Sequence, residues 1–427
     1  MVGNVANCNF NNDCNGSIRY LKKDKNQSER VGDYCMDDII FRTFQLWGNY
    51  FALFRNSYTN IVYHCFIRDN RICKAYKKMK VAIDVSPLET GHKVRGVGFY
   101  LSNLKDALLK YFPENEYIFF EGGEKLPADV DLVHFPHFEP FFLEMPLYKR
   151  FKTVVTVHDL TPIVFSQAFL RGLKGEIKWQ MQRYSLRRAD AIITDSESSK
   201  KDVIKYVGIK EKKVSVAYLA AGEQFKQLEI KNFKLEIQKR YGLPDRFALY
   251  VGDVTWNKNL PRLIDAIKKI NIPLVMVGKS LVSEEYDKNN PWNTDLNRVN
   301  ELTRGDDNIM KLGFVSSEEL VQIYNMATVF VMPSLYEGFG LPILEGMACG
   351  CPVITSKEGS IPEVASNAAF YVNAYDVEAI AAGIKKVFSD KQLQEELSKK
   401  GLENVKKFSW GKTAQETNAV YKLVSDK

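Results

Sequence analysis

The stretch Ser334-Leu-Tyr-Glu337-Gly338-Phe339-Gly340-Leu341-Pro342-Ile-Leu-Glu345 sets two carboxylates around a glycine turn at the mouth of a helix. Before it, Thr328 to Met332 (TVFVM) is a run of β-branched and apolar residues that predicts a buried strand. Gly338 and Gly340 permit a turn closed to most residues. Pro342 suits the first turn of a helix, where a missing N–H costs nothing. Cys349-Gly350 ends that helix, and Pro352 to Thr355 predicts the next strand. The unit strand, loop, helix, strand places Glu337 in the loop and Glu345 about one turn inside the helix. The N–H groups of Phe339, Gly340 and Leu341, unclaimed at a helix start, suit an anion. Amides that seek phosphate beside carboxylates that seek hydroxyls suit a phosphorylated sugar. The bland alternative, a solvated loop charge and a helix-face charge, leaves the intervening glycines without a purpose.

With the residues that follow, GMACGCPVITSKEGSIPEV, the pattern resembles the E-x7-E retaining glycosyltransferases of the GT-B fold, glycosyltransferase family 4, in their mannosyltransferase-like form. The resemblance extends over residues 79 to 427. It implies an α/β protein of two Rossmann-like domains whose parallel sheets face a central cleft, with a C-terminal helix crossing back to the first domain. It also implies retaining, metal-independent hexosyl transfer from a nucleotide-diphospho-sugar to a glycan or lipid-linked acceptor in surface polysaccharide synthesis. GDP-mannose is the first expectation for the donor, with UDP-glucose and UDP-N-acetylglucosamine as others. Glu345 would bind the ribose hydroxyls and Glu337 the sugar hydroxyls, while the amides of Gly338, Phe339, Gly340 and Leu341 would hold the diphosphate. No cofactor beyond the sugar nucleotide is implied. Nor is a protein nucleophile, because retention in this family is ascribed to same-face attack assisted by the leaving phosphate. The carboxylates therefore bind donor hydroxyls and do not form a glycosidase acid/base pair. Two other classes are compatible with the residues: a GT-B epimerase or phosphorylase, and a non-catalytic sugar-nucleotide binder.

Gly252-Asp-Val-Thr-Trp-Asn-Lys258-Asn259 follows another predicted strand, Phe247 to Val251. Lys258 stands just before a helix with Asn259 as its expected N-cap, so its ammonium joins a positive helix end. Such a place can hold a diphosphate and stabilise it as a leaving group. One charge-assisted hydrogen bond there is worth roughly 1.5–3 kcal/mol. Family members usually bring an arginine to this loop; the corresponding positions here are Asp253 and Asn257. Arg95-Gly96-Val97-Gly98 looks like the glycine turn that faces the donor phosphates from the first domain, with Gly98 at closest approach and Arg95 on the acceptor side. It is not a dinucleotide fingerprint, since its sixth position is Leu101. The histidines are His64, His92, His134, His137 and His158, so any imidazole at the site comes from the first domain. His158-Asp159 ends a strand and resembles the family's histidine at the cleft floor. Catalytic roles are thus implied for His158 and Glu337, and acceptor-side roles for Asp159 and His134. Asp129-Val-Asp131 opens a buried-looking strand and Asp306-Asp307 lies in a polar loop, so neither supports a metal site. Glu363, three residues after Ser360, reads as part of a capping box.

The chain has 427 residues, 45% hydrophobic and 26% charged, which suits a two-domain globular enzyme. Five of its seven cysteines precede residue 79, and an odd count without C-x-x-C spacing argues for the reducing cytoplasm. Of the net charge of +7, residues 1–78 carry 12 basic against 7 acidic side chains. The remainder is close to neutral, so no nucleic-acid partner is indicated. Residues 1–78 contain no proline and are rich in asparagine, cysteine and aromatics. They read as an atypical leader upstream of a natural start at Met79, with a helical or membrane-touching segment as the rival. Beyond it the expected divisions are an acceptor-side domain over 79–245, a nucleotide-sugar domain over 246–408 and a returning helix over 409–427. Strands are expected at 79–85, 130–135, 153–158, 191–195, 214–218, 273–277 and 309–314, and helices at 260–270, 317–326 and 376–389. Residues 222–245 read as a polar helical hinge and 280–305 as a polar loop. The basic helix 171–188 is expected to be solvated, or to touch the anionic inner face of the membrane as a peripheral contact.

Overall fold

The computed structural model describes residues 78–89 and 96–426. The readings of the leader, of His92 and of Arg95 lie outside the described residues. The first sheet holds β1 (Lys80–Asp84), β2 (Glu116–Phe120), β3 (Leu132–Phe135), β4 (Lys152–Val157), β5 (Ala191–Thr194) and β6 (Val214–Val216). The second holds β7 (Ala248–Val251), β8 (Leu274–Val277), β9 (Ile309–Lys311), β10 (Val329–Met332), β11 (Val353–Thr355) and β12 (Phe370–Tyr371). Their orders are β2-β1-β3-β4-β5-β6 and β12-β11-β10-β7-β8-β9, with neighbours parallel throughout. Parallel neighbours need crossovers, and helices supply most of them. Helices on both faces leave the central strands no solvated side, which is why Ala191–Thr194, Leu274–Val277 and Val329–Met332 are buried at every position.

The first crossover helix, Gly96–Tyr111, seats Leu101, Leu104 and Leu108 in the core with no exposed surface. Each such side chain contributes about 1.5–3 kcal/mol of burial. The last helix, Trp410–Ser425, packs on that helix and on β3, β4 and β5, so the chain end returns to the first half. Its buried positions Trp410, Ala414, Thr417, Tyr421 and Val424 recur at helical spacing. Asn418 Oδ1 accepts from the Asn115 amide at 3.0 Å, and Lys152 donates to the carbonyl of Ser425 at 3.0 Å.

Several expectations are corrected. Residues 280–305 contain the helix Thr294–Leu302, which buries Leu296 and Val299. Residues 222–245 are helical only over Lys234–Tyr241, apart from the short turn Ile230–Asn232. Gly96 to Gly98 begin a helix and are not a turn, and Gly98 is buried. The Ser360 hydroxyl does not cap Ile361–Ala365, because it donates to the carbonyls of Glu337 and Phe339 at 3.0 and 2.9 Å. The carboxyl ends of β4, β5, β7 and β10 lead into the segments that carry the candidate site, as expected for an open parallel sheet.

Candidate active site

The loop after β10 is braced from several sides. The Asn257 amide donates to the carbonyl of Tyr336 at 3.0 Å, and the N–H of Leu335 donates to the carbonyl of Asn257 at 2.7 Å. Phe339 is buried, with its ring 6.3 Å from Tyr218 and 6.1 Å from Phe408. Gly340 takes φ 97° at the start of the helix Leu341–Ala348, a conformation that favours glycine. Within this frame Glu337 is 6% exposed, and both its oxygens accept from Lys258 Nζ, at 2.9 and 2.8 Å. The two residues expected to grip phosphate and sugar separately thus form one ion pair, with the carboxylate buried and the ammonium half-buried.

Asn259 does not cap the following helix Leu260–Ile270. It sits at φ 62°, its amide is spent on the carbonyls of Pro333 and Ala374 at 2.9 and 2.7 Å, and its Oδ1 accepts from Arg262 at 2.9 Å. Asp253, at a position where the family resemblance implied an arginine, accepts from the Ser280 hydroxyl at 3.0 Å. Asp253 and Asn257 therefore tie neighbouring loops together.

Glu345 lies one turn into its helix, 9% exposed, with the Tyr324 hydroxyl donating to it at 3.1 Å. Burial pushes its carboxyl up to about 7, against the opposing pull of that hydroxyl. The folded state therefore keeps a proton that the unfolded chain loses near 4.5. Its contribution to stability is complete below that pH and is lost as pH rises through about 7. Each pH unit inside the window is worth roughly 1.4 kcal/mol. Glu345→Gln should therefore raise the thermal midpoint over the parent by several degrees at pH 8 and by almost nothing at pH 4.5. Melting curves at the two pH values check this.

From the first half, His158 follows β4 with Nδ1 2.7 Å from Asp195 Oδ2 and Nε2 3.2 Å from the carbonyl of Pro136. The edge of Tyr100 meets its ring at 4.7 Å between centroids. Burial opposes the imidazolium, but the adjacent Asp195 carboxylate outweighs it and raises the pKa. Both ring nitrogens are thus engaged within the protein. Asp159 is its neighbour in the same wall and accepts from the N–H of Thr161 at 2.8 Å. His134 departs from its expected acceptor-side role. It is fully buried between the Tyr421 hydroxyl at 2.7 Å and Thr156 at 2.8 Å, and burial drives its pKa down to about 3. A sealed, neutral imidazole in the core has no surface to offer an acceptor.

The glutamate loop docks directly on this wall. The carbonyl of Gly338 accepts from the Ser196 hydroxyl at 2.7 Å, and Ser199 Oγ lies 2.8 Å from the carbonyl of His158. Tyr336 and Asp202 share a hydrogen bond. Glu363 accepts from the N–H groups of Glu197 and Ser198, both at 2.8 Å, at the start of the helix Glu197–Asp202. Its carboxylate complements that helix end across the two halves. The structure therefore brings Glu337, Lys258, Gly338, His158 and Asp159 together, with Glu345 one helical turn beyond. Asp195, Tyr324, Tyr336 and Glu363 were not singled out for the site. Asp195 carried a signal, since it directly follows a buried strand and precedes a serine N-cap.

The profile described as "Glycosyl transferases group 1" matches residues 232–404, and that described as "Glycosyltransferase Family 4" matches residues 83–220. The chain is 32% identical to O-antigen chain mannosyltransferase B of Escherichia coli over 280 residues, 64% of this chain and 71% of that protein. It is 30% identical to the serotype-specific mannosyltransferase WbdA of Escherichia coli over 321 residues, 72% of this chain. The chain spans about a third of the length of the WbdA proteins it matches. Sucrose-phosphate synthase from Thermosynechococcus elongatus superimposes with a TM-score of 0.64 at 20% identity, covering 81% of this chain and 99% of that one. That likeness speaks for the architecture, two Rossmann-like halves in the GT-B arrangement. On the two profile matches and the identity shared with the O-antigen mannosyltransferase, the chain belongs to the group 1, family 4 glycosyltransferases.

Proposed function

We propose that the chain is a retaining, metal-independent transferase that moves a hexose from a nucleotide-diphospho-sugar to a glycan or lipid-linked acceptor in polysaccharide synthesis. The observation that carries this reading is the ion pair between half-buried Lys258 and buried Glu337, held against the His158 wall and followed one helical turn later by Glu345. The arriving diphosphate competes with Glu337 for the Lys258 ammonium, and the carboxylate so released turns to the sugar hydroxyls. Glu345 takes the ribose, and the amides at Gly338 to Leu341 take the phosphates at the helix start. His158 has one bond it can yield, the longer one to Pro136, and so orients the sugar. GDP-mannose is the proposed donor, because the relatives are named mannosyltransferases.

The helix Gly172–Arg187 exposes Leu173, Ile177 and Tyr184 among Lys174, Lys178 and Arg187. This supports a peripheral contact with an anionic cytoplasmic membrane face that presents the acceptor. No helix among the described residues is long and apolar enough to cross a membrane.

A thermal-shift screen against GDP-, UDP-, ADP- and dTDP-sugars, paired with a hydrolysis assay, tests the reading. A donor present at a hundred times its Kd should stabilise the chain by about 2.7 kcal/mol and be hydrolysed slowly without acceptor. Stabilisation with no hydrolysis or transfer would favour a non-catalytic binder. His158→Ala should lower turnover roughly tenfold or more while changing donor affinity less than about threefold.

A further inference from the structure

A cavity of about 340 Å³ opens between the two halves, with Gln167, Phe169 and Leu170 on one wall and Trp256, Trp292 and Asp295 on the other. That volume lies at the lower end of ligand pockets, roughly 300–1,000 Å³. Its aromatic floor is fixed in place. The Phe169 ring lies 6.2 Å from Trp256 and 5.3 Å from Trp292, both edge-on. The Trp292 indole N–H donates to the carbonyl of Leu170 at 2.8 Å, and Phe141 braces the same ring at 5.8 Å. The cavity adjoins the candidate active site. The Phe165 ring lies 5.0 Å from Trp256 and 5.3 Å from Tyr336, the residue before Glu337, and Trp256 precedes Lys258 by two positions.

The chemistry of the lining is selective. Among the described residues no basic side chain lines it, so it lacks a charge partner for a phosphate or a carboxylate. Electron-rich indole faces attract the weakly positive C–H face of a pyranose, and the Asp295 carboxylate and Gln167 amide match its hydroxyls. We propose that this cavity is a subsite for a neutral pyranose residue of the acceptor glycan, seated on Trp292 and held by Asp295. The proposal rests on the transferase reading only in assigning that sugar to the acceptor.

The test is saturation-transfer NMR on the full chain, with mannotriose and mannose 6-phosphate as probes. Mannotriose should bind without nucleotide, and mannose 6-phosphate at least about tenfold more weakly. Trp292→Ala and Asp295→Asn should each weaken mannotriose at least about tenfold, while Trp292→Phe stays within about threefold. Thermal midpoints of the variants establish that they fold. Unchanged mannotriose affinity in Trp292→Ala overturns the subsite, as does a parent chain that does not bind mannotriose. Loss of GDP-mannose binding in Trp292→Ala with mannotriose retained would give the cavity to the donor and overturn it too. A parent chain that binds mannotriose through Trp292 but binds no nucleotide sugar upholds the subsite and removes the transferase reading.

Discussion

Lys258→Met should destabilise the protein by about 3 kcal/mol and lower sugar transfer at least about a hundredfold. Nζ holds both oxygens of Glu337, whose side chain is 7% exposed against 21% for the lysine. Removing the ammonium strands a carboxylate that has already given up its water. Truncating one member of such a pair costs about 3–5 kcal/mol, and the partly wetted lysine places this pair at the low end. The double variant Lys258→Met/Glu337→Gln removes the stranded charge and should recover about 2 kcal/mol. It should nonetheless remain inactive, because the roles proposed above, an ammonium for the leaving diphosphate and a carboxylate for the sugar, would both be lost. Guanidinium unfolding midpoints and single-turnover transfer separate the two effects. A double variant that regained turnover along with stability would reduce the pair to a structural fastening.

What could be read from the sequence was local. The helices Leu260–Ile270 and Ser317–Met326 match their expected bounds because their apolar periodicity and their end signals fall within one short window. The loop 334–345 was legible for the same reason: glycines, a proline and two carboxylates sit within twelve residues. Weakly patterned elements were not legible. β2 is only partly buried at most of its positions and lacks clean alternation, β12 has two residues, and Lys391–Val405 buries little beyond Leu397, Gly401 and Asn404. Glu363 shows the deeper limit. A serine three residues before a glutamate satisfies the capping-box pattern, yet the carboxylate goes to the N–H groups of Glu197 and Ser198, more than 160 positions away. Ser196 to Gly338 and Tyr336 to Asp202 span 142 and 134 positions of the chain. Local chemistry announces the groups at each strand end, whereas the fold decides which of them meet. That is also why Lys258 and Glu337, each identified separately, were not expected to be partners.

Gly338→Ala should lower turnover about a hundredfold while leaving both halves folded. A methyl group there would lie 2.6 Å from the carbonyl oxygen of His158 and 2.7 Å from Asp159 Cβ, closer than such atoms approach. Neither neighbour retreats freely. The His158 carbonyl also accepts from Ser199, and Asp159 is tied to the N–H of Thr161. The strain therefore falls on the seam between the halves, where the Ser196 bond to the Gly338 carbonyl and the Tyr336–Asp202 bond would have to lengthen. A displacement of about 1 Å between the groups proposed to hold donor and acceptor is enough for a hundredfold loss in rate. Donor affinity, which the proposed function assigns mainly to the second half, should change by less than about threefold. Gly340→Ala is the contrasting case. Its cost lies in the left-handed φ of 97°, and its methyl group would meet the movable end of Ile343 at 3.3 Å. That change should cost about 1 kcal/mol of stability without pressing on the first half. Small-angle scattering should show a larger radius of gyration for Gly338→Ala but not for Gly340→Ala. Parent-like turnover in Gly338→Ala would mean that the contact between the glutamate loop and the His158 wall is not part of the working state.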